Sequence, residues 1–543
     1  MKNYDKLGIM LDCSRNGAAT VEYVKEFIDV ISPMGYNVIQ LYLEDMLEVE
    51  NWDYFGHMRG RYSKAELKAI DEYAVKKGVE IVPTIQTLAH MWRMFYWEQY
   101  HEINDIDGIL LIDEPKTYNL IEGMVKMLSE CLTSRRINIS MDEARMAGMG
   151  KYRAKHGVQD QFEIICRHLN KILEICEKYG FEVMMFSDIF FSAAQGASLG
   201  HDYYAKDFSL SEEKKNMLPK NVSLIFWEYY VGDIERFELG IRNHLQFDRN
   251  IVYFGSVVSY CGFIPNNEYS LMSNELAAKS CLKYNIRESY ISLWGDNGQE
   301  YSRYSVLPNL YSYAQFMQGN FDKQKIKDGF YEMFGIPFDE FMYIDLPNKV
   351  REEEKVGWNN PHKYFYYNDP FIGIVDCYVK EGLNAKYARY AEMLEKLSNH
   401  AKFGYVFETA AALCRVLEYK CELGVKTRKA YQSGDKAALR KLAENDYAIV
   451  AQRIEEMYYC FKSQWDRENK SFGFEPQEIR FGGMMYRIKM CAKRLLDYVD
   501  GKIKKIPELE EKTLDFLGGV DRFDENQTQI HDIKRMFSPS GFI

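Results

Sequence analysis

Eight short apolar runs, separated by helical patterns, constrain this chain more than any other feature. They are LGIMLDCSR (7–15), YNVIQLYLED (36–45), VEIVPTIQTL (79–88), RINIS (136–140), FEVMMFSD (181–188), VSLIFWEY (222–229), NIVYFGSVVSY (250–260) and SYISLWGDNG (289–298). Between them apolar residues recur at helical spacing. Val21, Val24, Phe27, Ile28 and Ile31 follow the first run, and Phe162, Ile165, Leu169, Ile172 and Cys176 precede the fifth. Ser63 and Glu66 have the spacing of a capping box, and Gly78 and Gly180 suit helix C-terminal caps. Nearly continuous apolar strands are what a parallel sheet buried on both faces requires. Eight such units predict a (β/α)8 TIM barrel of α/β class over residues 1–310. A doubly wound open sheet is the alternative, and the lack of a Gly-rich nucleotide loop favours closure.

Beyond residue 310 strand-like runs become rare. Stretches near 380–425, 436–463 and 478–503 carry charged faces with Leu, Ala, Tyr and Met stripes, which predicts a mostly α-helical region over 311–543. Two Gly- and aromatic-rich segments, ENKSFGFE (468–475) and RFGGMMYR (480–487), read as turns between helices.

The net charge is −11, and no basic run is long enough to track a phosphate backbone, so nucleic acid is not an expected partner. No stretch approaches the roughly 20 apolar residues of a membrane span, and the N-terminus lacks the apolar core of a signal peptide. The 11 cysteines are scattered without a CxxC pair. Several, such as Cys166, Cys176, Cys414 and Cys421, sit in apolar helical runs, which fits small buried hydrophobes in a reducing compartment. A cytoplasmic location is expected.

In such a barrel the active site lies at the C-terminal strand ends, and here those ends are polar. They carry Asp12, Arg15 and Asn16, then Glu44 and Asp45, Gln86 and His90, Asp142 and Glu143, Asp188, Trp227 to Tyr230, Tyr260, and Trp294, Asp296 and Asn297. Carboxylates beside indoles suit a pyranose, since acids hold hydroxyls and move protons while flat rings cover the C–H face. The fourth run ends in two adjacent acids. Consecutive strand residues point to opposite faces, so both acids reach one site only where the strand has ended. Ordinary retaining glycosidases set two carboxyls about 5 Å apart on either side of the sugar, one of them a nucleophile. Sequence neighbours approach from nearly one side, which suits a substrate that brings its own nucleophile, such as a 2-acetamido oxygen.

On the Asp-Glu pair of INISMDEA, together with DCSRNG, QTLAHMW and LWGDNG in the same order around the barrel, the chain resembles glycoside hydrolase family 20, the β-N-acetylhexosaminidases. It is most similar to the branch lacking the usual N-terminal accessory domain. The family's usual motif is His-x-Gly-Gly-Asp-Glu, so the first positions depart from it. The resemblance implies that Asp142 orients the acetamido group and that Glu143 is general acid, then general base. It implies Arg15 as a binder of sugar hydroxyls, His90 as the third-strand histidine of the site, and Trp294 as the closing wall of the acetamido pocket. Trp227 is expected as a second wall, with packing between the barrel and the C-terminal helices as its plainer role. Asp296 stands where the family usually has Glu, so recognition at O4 or O6 is expected to differ. Tyr260 is the first choice for the tyrosine holding the acetamido oxygen and Tyr229 the second. Glu44 and Asp188 are further candidates for substrate binding, with helix capping or ion pairing as their plainer roles.

The resemblance thus implies a retaining exo-enzyme that removes terminal β-linked GlcNAc or GalNAc from an oligosaccharide or glycoconjugate, with no metal or organic cofactor, in a homodimer. Three alternatives stay open. One is a conventional retaining glycosidase with Glu228 or Asp296 as nucleophile. Another is a metal site built from His90, Asp12, Asp45, Asp142 and Asp188. The third is a binding protein that keeps Trp227 and Trp294 and turns nothing over.

Overall fold

The computed structural model describes residues 3–195, 204–206, 208–350, 357–516, 518, 530 and 533–540. The parts of the expected helical region at 351–356, 517, 519–529, 531–532 and 541–543 lie outside the described residues.

Each of the eight runs contributes one strand: β1 (Lys6–Asp12), β2 (Val38–Tyr42), β3 (Glu80–Thr84), β4 (Arg136–Asn138), β5 (Glu182–Phe186), β6 (Val222–Trp227), β7 (Ile251–Ser256) and β8 (Glu288–Leu293). All pair in parallel with their sequence neighbours, and β8 closes on β1 with Gly8 opposite Tyr290, giving a barrel. The interior is filled by side chains of matched size. A methyl on Gly8 would overlap the Tyr290 ring. That ring stacks on Phe254 with centroids 4.7 Å apart, and Phe254 meets Phe186 edge-on at 5.3 Å. Polar residues inside are paired across strands: Gln40 Oε1 accepts from Thr84 Oγ1 (2.6 Å) and from Asn138 Nδ2 (3.1 Å).

The helix Lys64–Lys76 starts on the expected capping box: Glu66 N donates to Ser63 Oγ, and Ser63 N donates to the Glu66 carboxylate at 2.8 Å. A two-stranded hairpin, Asn104–Ile106 with Ile109–Leu110, lies between β3 and β4 and was not expected.

The chain forms two compact units. The first comprises Met1–Val257, Ser270–Trp294 and Leu310–Ile326 and contains the barrel. The second comprises Val258–Tyr269, Gly295–Asn309 and Lys327–Ile543. It is mostly helical, with long elements at Gly404–Lys420, Tyr447–Glu468 and Glu475–Val499. ENKSFGFE does join two of these helices. RFGGMMYR does not form a turn: it lies inside the helix Glu475–Val499. There the buried stripe of Phe481, Met484, Ile488, Cys491 and Leu495 outweighs the poor helix propensity of two glycines. A Cβ on Gly482 or Gly483 would meet nothing within 4 Å. Gly482→Ala and Gly483→Ala are therefore each expected to stabilise the protein by about 0.5–1 kcal/mol, read as a rise in the urea midpoint at unchanged slope. An unchanged or lower midpoint would contradict this reading.

All 11 cysteines are free thiols, and every one except Cys377 and Cys460 is buried. Among the described residues no helix is long and apolar enough to cross a membrane.

Candidate active site

β4 is a short strand whose backbone pairing with β5 ends where Ile139 N donates to Met184 O (3.0 Å) and Phe186 N to Ser140 O (3.1 Å), while Asn138 Oδ1 accepts from Ser140 N at 3.0 Å. The backbone is then left-handed at Ser140 (φ 55°), Met141 (71°) and Glu143 (57°). This frees two consecutive acids from the two-sided alternation of a strand. Such backbone is uncommon for residues with a Cβ. It recurs at Asn16 (67°), Glu44 (39°) and His90 (58°), all in loops that follow barrel strands.

The two acids meet different surroundings. The Asp142 side chain is 12% exposed and that of Glu143 47%. Asp142 Oδ1 accepts from Gln86 Nε2 at 2.8 Å, and its Oδ2 lies 3.2 Å from His90 Nε2. Burial opposes charge on Asp142, but His90 and Gln86 together hold it below the usual carboxylate range. Burial opposes charge on His90 as well, yet neighbouring Asp142 lifts it to about 9. Glu143 Oε2 stands 3.7 Å from the same His90 nitrogen, and Glu143 N donates to Asp188 Oδ2 at 2.8 Å. Asp188 is pushed up to about 7 by burial first, then by the charge of Asp142. Its Oδ1 accepts from Trp227 Nε1 at 3.3 Å.

The loop after the acids is tied down by the unexpected hairpin. Asp105 accepts from Gly148 N (2.8 Å) and Tyr152 N (2.7 Å). A methyl on Gly150 would overlap the Asp105 carbonyl oxygen. Because that obstacle is backbone, Gly150→Ala must displace the loop. An overpacking cost of about 1–3 kcal/mol is expected, together with a fall in whatever turnover the acids support. A thermal melt and an activity assay on one preparation would check it, and no change in either would contradict the packing.

Aromatic rings border the acids. Trp227 and Tyr229 lie 5.1 Å apart, Trp294 Nε1 donates to the Tyr229 hydroxyl at 3.4 Å, and Trp294 meets Tyr42 edge-on at 4.9 Å. The Arg15 guanidinium sits 4.8 Å from the Tyr42 ring and 5.1 Å from the Trp294 ring. It also pairs with Asp12 (3.1 Å) and Glu44 (3.5 Å). The Tyr42 hydroxyl donates to Glu44 Oε1 at 3.1 Å and accepts from Gln86 Nε2 at 2.9 Å. Asp45 is held by Arg59. One barrel end thus collects a buried anion, a more exposed acid beside it, an arginine against rings and a wall of indoles.

Two models of one family match the chain. "Glycosyl hydrolase family 20, catalytic domain" covers residues 4–234, and "Glycoside Hydrolase 20C C-terminal domain" covers 339–528. The chain belongs to glycoside hydrolase family 20. Among its curated relatives, a probable beta-hexosaminidase of Arthroderma benhamiae is 20% identical over 344 residues, 57% of this chain and 51% of that protein. A beta-hexosaminidase of Emericella nidulans is 24% identical over 169 residues, 26% of this chain and 27% of its own length. The match therefore spans about half of the first of these relatives and less of the second. A solved β-N-acetylhexosaminidase from Bacteroides fragilis superposes with a TM-score of 0.47 at 18% identity, over 62% of this chain and 71% of that one.

Of the residues expected for a family-20 site, Arg15, Glu44, His90, Asp142, Glu143, Asp188, Trp227, Tyr229 and Trp294 are linked by the contacts above. Tyr260 and Asp296 belong to the second unit, where Tyr260 is buried and Asp296 exposed. Glu228 turns back on its own chain, its Oε1 accepting from Tyr229 N (3.1 Å) and Tyr230 N (3.2 Å). Tyr42 was not anticipated. It lies at the end of the alternating run VIQLY, beside Gln40 and Glu44 on the same parity, which is the signal that would have found it.

Proposed function

We propose that this family-20 chain is a retaining exo-β-N-acetylhexosaminidase working by substrate assistance. The observation that carries the reading is the contrast between its adjacent acids. Asp142 is a buried, ionised group fixed by Gln86 and His90, and Glu143 is a far more exposed carboxyl one residue on. A terminal β-linked GlcNAc or GalNAc brings an acetamido oxygen as nucleophile. In the first step that oxygen bonds to C1 as the C1–O bond to the leaving sugar breaks, and Glu143 gives its proton to the departing oxygen. Asp142 accepts from the amide N–H and stabilises the positive oxazolinium ring. In the second step the Glu143 carboxylate takes a proton from water, whose oxygen bonds to C1 and releases the acetamido oxygen. Two inversions leave the β configuration in place.

The surrounding residues fit this work. Arg15 and Glu44 offer a donor and an acceptor to ring hydroxyls. Trp227, Tyr229 and Trp294 wall the acetamido pocket. Tyr229 suits the acetamido oxygen, because its hydroxyl accepts from Trp294 and keeps its own proton to donate. Burial holds that hydroxyl well above its ordinary pKa, so it stays protonated. Glu228, engaged with its own backbone, is poorly placed to be a carboxylate nucleophile. The buried thiols support a reducing, cytoplasmic location, where the enzyme would trim free oligosaccharides.

The test is turnover of three aryl β-glycosides: the N-acetylglucosaminide, the N-acetylgalactosaminide and the plain glucoside. Turnover of the acetamido sugars alone is expected, and their rate ratio gives the epimer preference. A plain glucoside that reacts faster would mean an enzymic nucleophile and sink the mechanism. Binding of N-acetyl sugars without turnover would point to a lectin.

A further inference from the structure

The loop after β3 carries a tryptophan that the reaction above does not use. Trp92 is 49% exposed, although a free indole face in water is a cost that a fold usually covers. It is not loosely placed. Its Nε1 donates to Asp107 Oδ1 at 3.1 Å. Asp107 (φ 45°) and Gly108 (φ 76°) form the tip of the hairpin, both left-handed, as a two-residue Asp-Gly turn requires. The indole lies against Gly108, where a Cβ would come within 2.6 Å of Trp92 Cδ1. The main chain at its root is fixed too, since Met91 N donates to Gly108 O at 3.0 Å and Leu110 N to Leu88 O at 2.7 Å. One part of the ring is therefore seated on the hairpin while much of it faces solvent.

The same ring stands beside the acids. Trp92 and His90 are edge-to-face with centroids 5.1 Å apart, and His90 Nε2 is 3.7 Å from Glu143 Oε2. The hairpin that seats Trp92 also holds the acid loop through Asp105. A platform at this place meets whatever is attached to the oxygen that Glu143 protonates.

We propose that Trp92 is the stacking platform for the sugar on the leaving side of the scissile bond, an uncharged hexopyranose that lays a C–H face on the indole. This rests on the hexosaminidase reading. A pyranose ring is the occupant because an immobilised flat apolar surface binds a flat C–H face without ordering cost to the protein. The Asp107 carboxylate at the ring's edge disfavours an anionic sugar. The site makes the enzyme selective for glycans over substrates with small leaving groups.

The experiment compares the wild type with Trp92→Ala and Trp92→Phe. The substrates are N-acetylglucosaminyl azide, whose leaving group is too small to stack, and disaccharides with GlcNAc β-1,3-, β-1,4- or β-1,6-linked to galactose or GlcNAc. Aryl glycosides are avoided because their ring would itself stack on the indole. The quantity read is kcat/KM for the best disaccharide divided by that for the azide, which cancels any loss of folded enzyme. Trp92→Ala is expected to lower this ratio by about tenfold or more, and Trp92→Phe to keep it within about threefold of the wild type. A ratio unchanged in Trp92→Ala, whether both rates fall together or neither falls, overturns the inference. So does a wild type that cleaves the azide and no disaccharide. A wild type that cleaves neither substrate fails the hexosaminidase reading, and the platform falls with it.

Discussion

Glu143→Gln is expected to lower kcat/KM on a GlcNAc disaccharide by about 10³-fold, within the range for loss of a general acid. The side chain keeps its size and its place beside His90 but has no proton to give. For the N-acetylglucosaminyl azide the fall in kcat/KM should be far smaller, below about tenfold, because azide departs without protonation. That parameter reports events up to the first irreversible step, which in the proposed mechanism is oxazolinium formation. The turnover number on azide should still drop, since the second step needs the carboxylate to take a proton from water. Equal losses of kcat/KM on both substrates would deny Glu143 the acid role. No loss on either would remove it from the reaction.

Asp142→Asn is the second large effect. The amide is isosteric, and Gln86 can still donate to its carbonyl oxygen, yet the fixed negative charge is gone. A fall in kcat/KM of about 10²–10³-fold is expected, comparable with removing a preorganised group that stabilises transition-state charge. A second readout separates electrostatics from packing. His90 is lifted to about 9 chiefly by Asp142 against the pull of burial, so in Asp142→Asn only the weaker pull of Glu44 opposes burial and Arg15, and His90 should titrate well below 9. Proton NMR of histidine Cε1–H resonances across pH would read this directly. A His90 that still titrates near 9 would mean that another group holds its charge. Stability follows with a definite sign. A histidine raised in the folded state contributes in full below its unfolded value near 6.5, and that contribution is lost as pH rises through about 9. The wild-type Tm should therefore decline between pH 6.5 and 9 more steeply than that of Asp142→Asn.

Much of this was legible in the sequence, for physical reasons that differ by element. The barrel strands were readable because burial on both faces leaves near-continuous apolar runs, and strand ends must then be where polarity returns. The acids of INISMDEA were readable because adjacency on a strand is informative. The hairpin at 104–110 was missed, although Asp107-Gly108 between apolar residues is a strong turn signal. Its arms are only three and two residues long, too short for an alternation pattern to register. RFGGMMYR was misread because a glycine pair suggests a break, whereas the stripe from Phe481 to Leu495 is set by burial that local propensity does not express. Tyr260 ranked above Tyr229 for its place on the seventh run, and no pattern in the chain encodes which hydroxyl has a proton to donate.

The left-handed residues after the strands have a consequence for how this protein can change. Asn16, Glu44, His90, Ser140, Met141 and Glu143 each hold a backbone that an L-residue adopts at a cost of roughly 1–2 kcal/mol. Glycine would relieve that cost at every one of them. A laboratory selection that rewards heat resistance alone should therefore enrich glycine at these positions, and where it replaced Glu44, His90 or Glu143 it would discard a side chain of the proposed site for torsional comfort. Durability and turnover draw on the same few dihedral angles, so the two would have to be selected together.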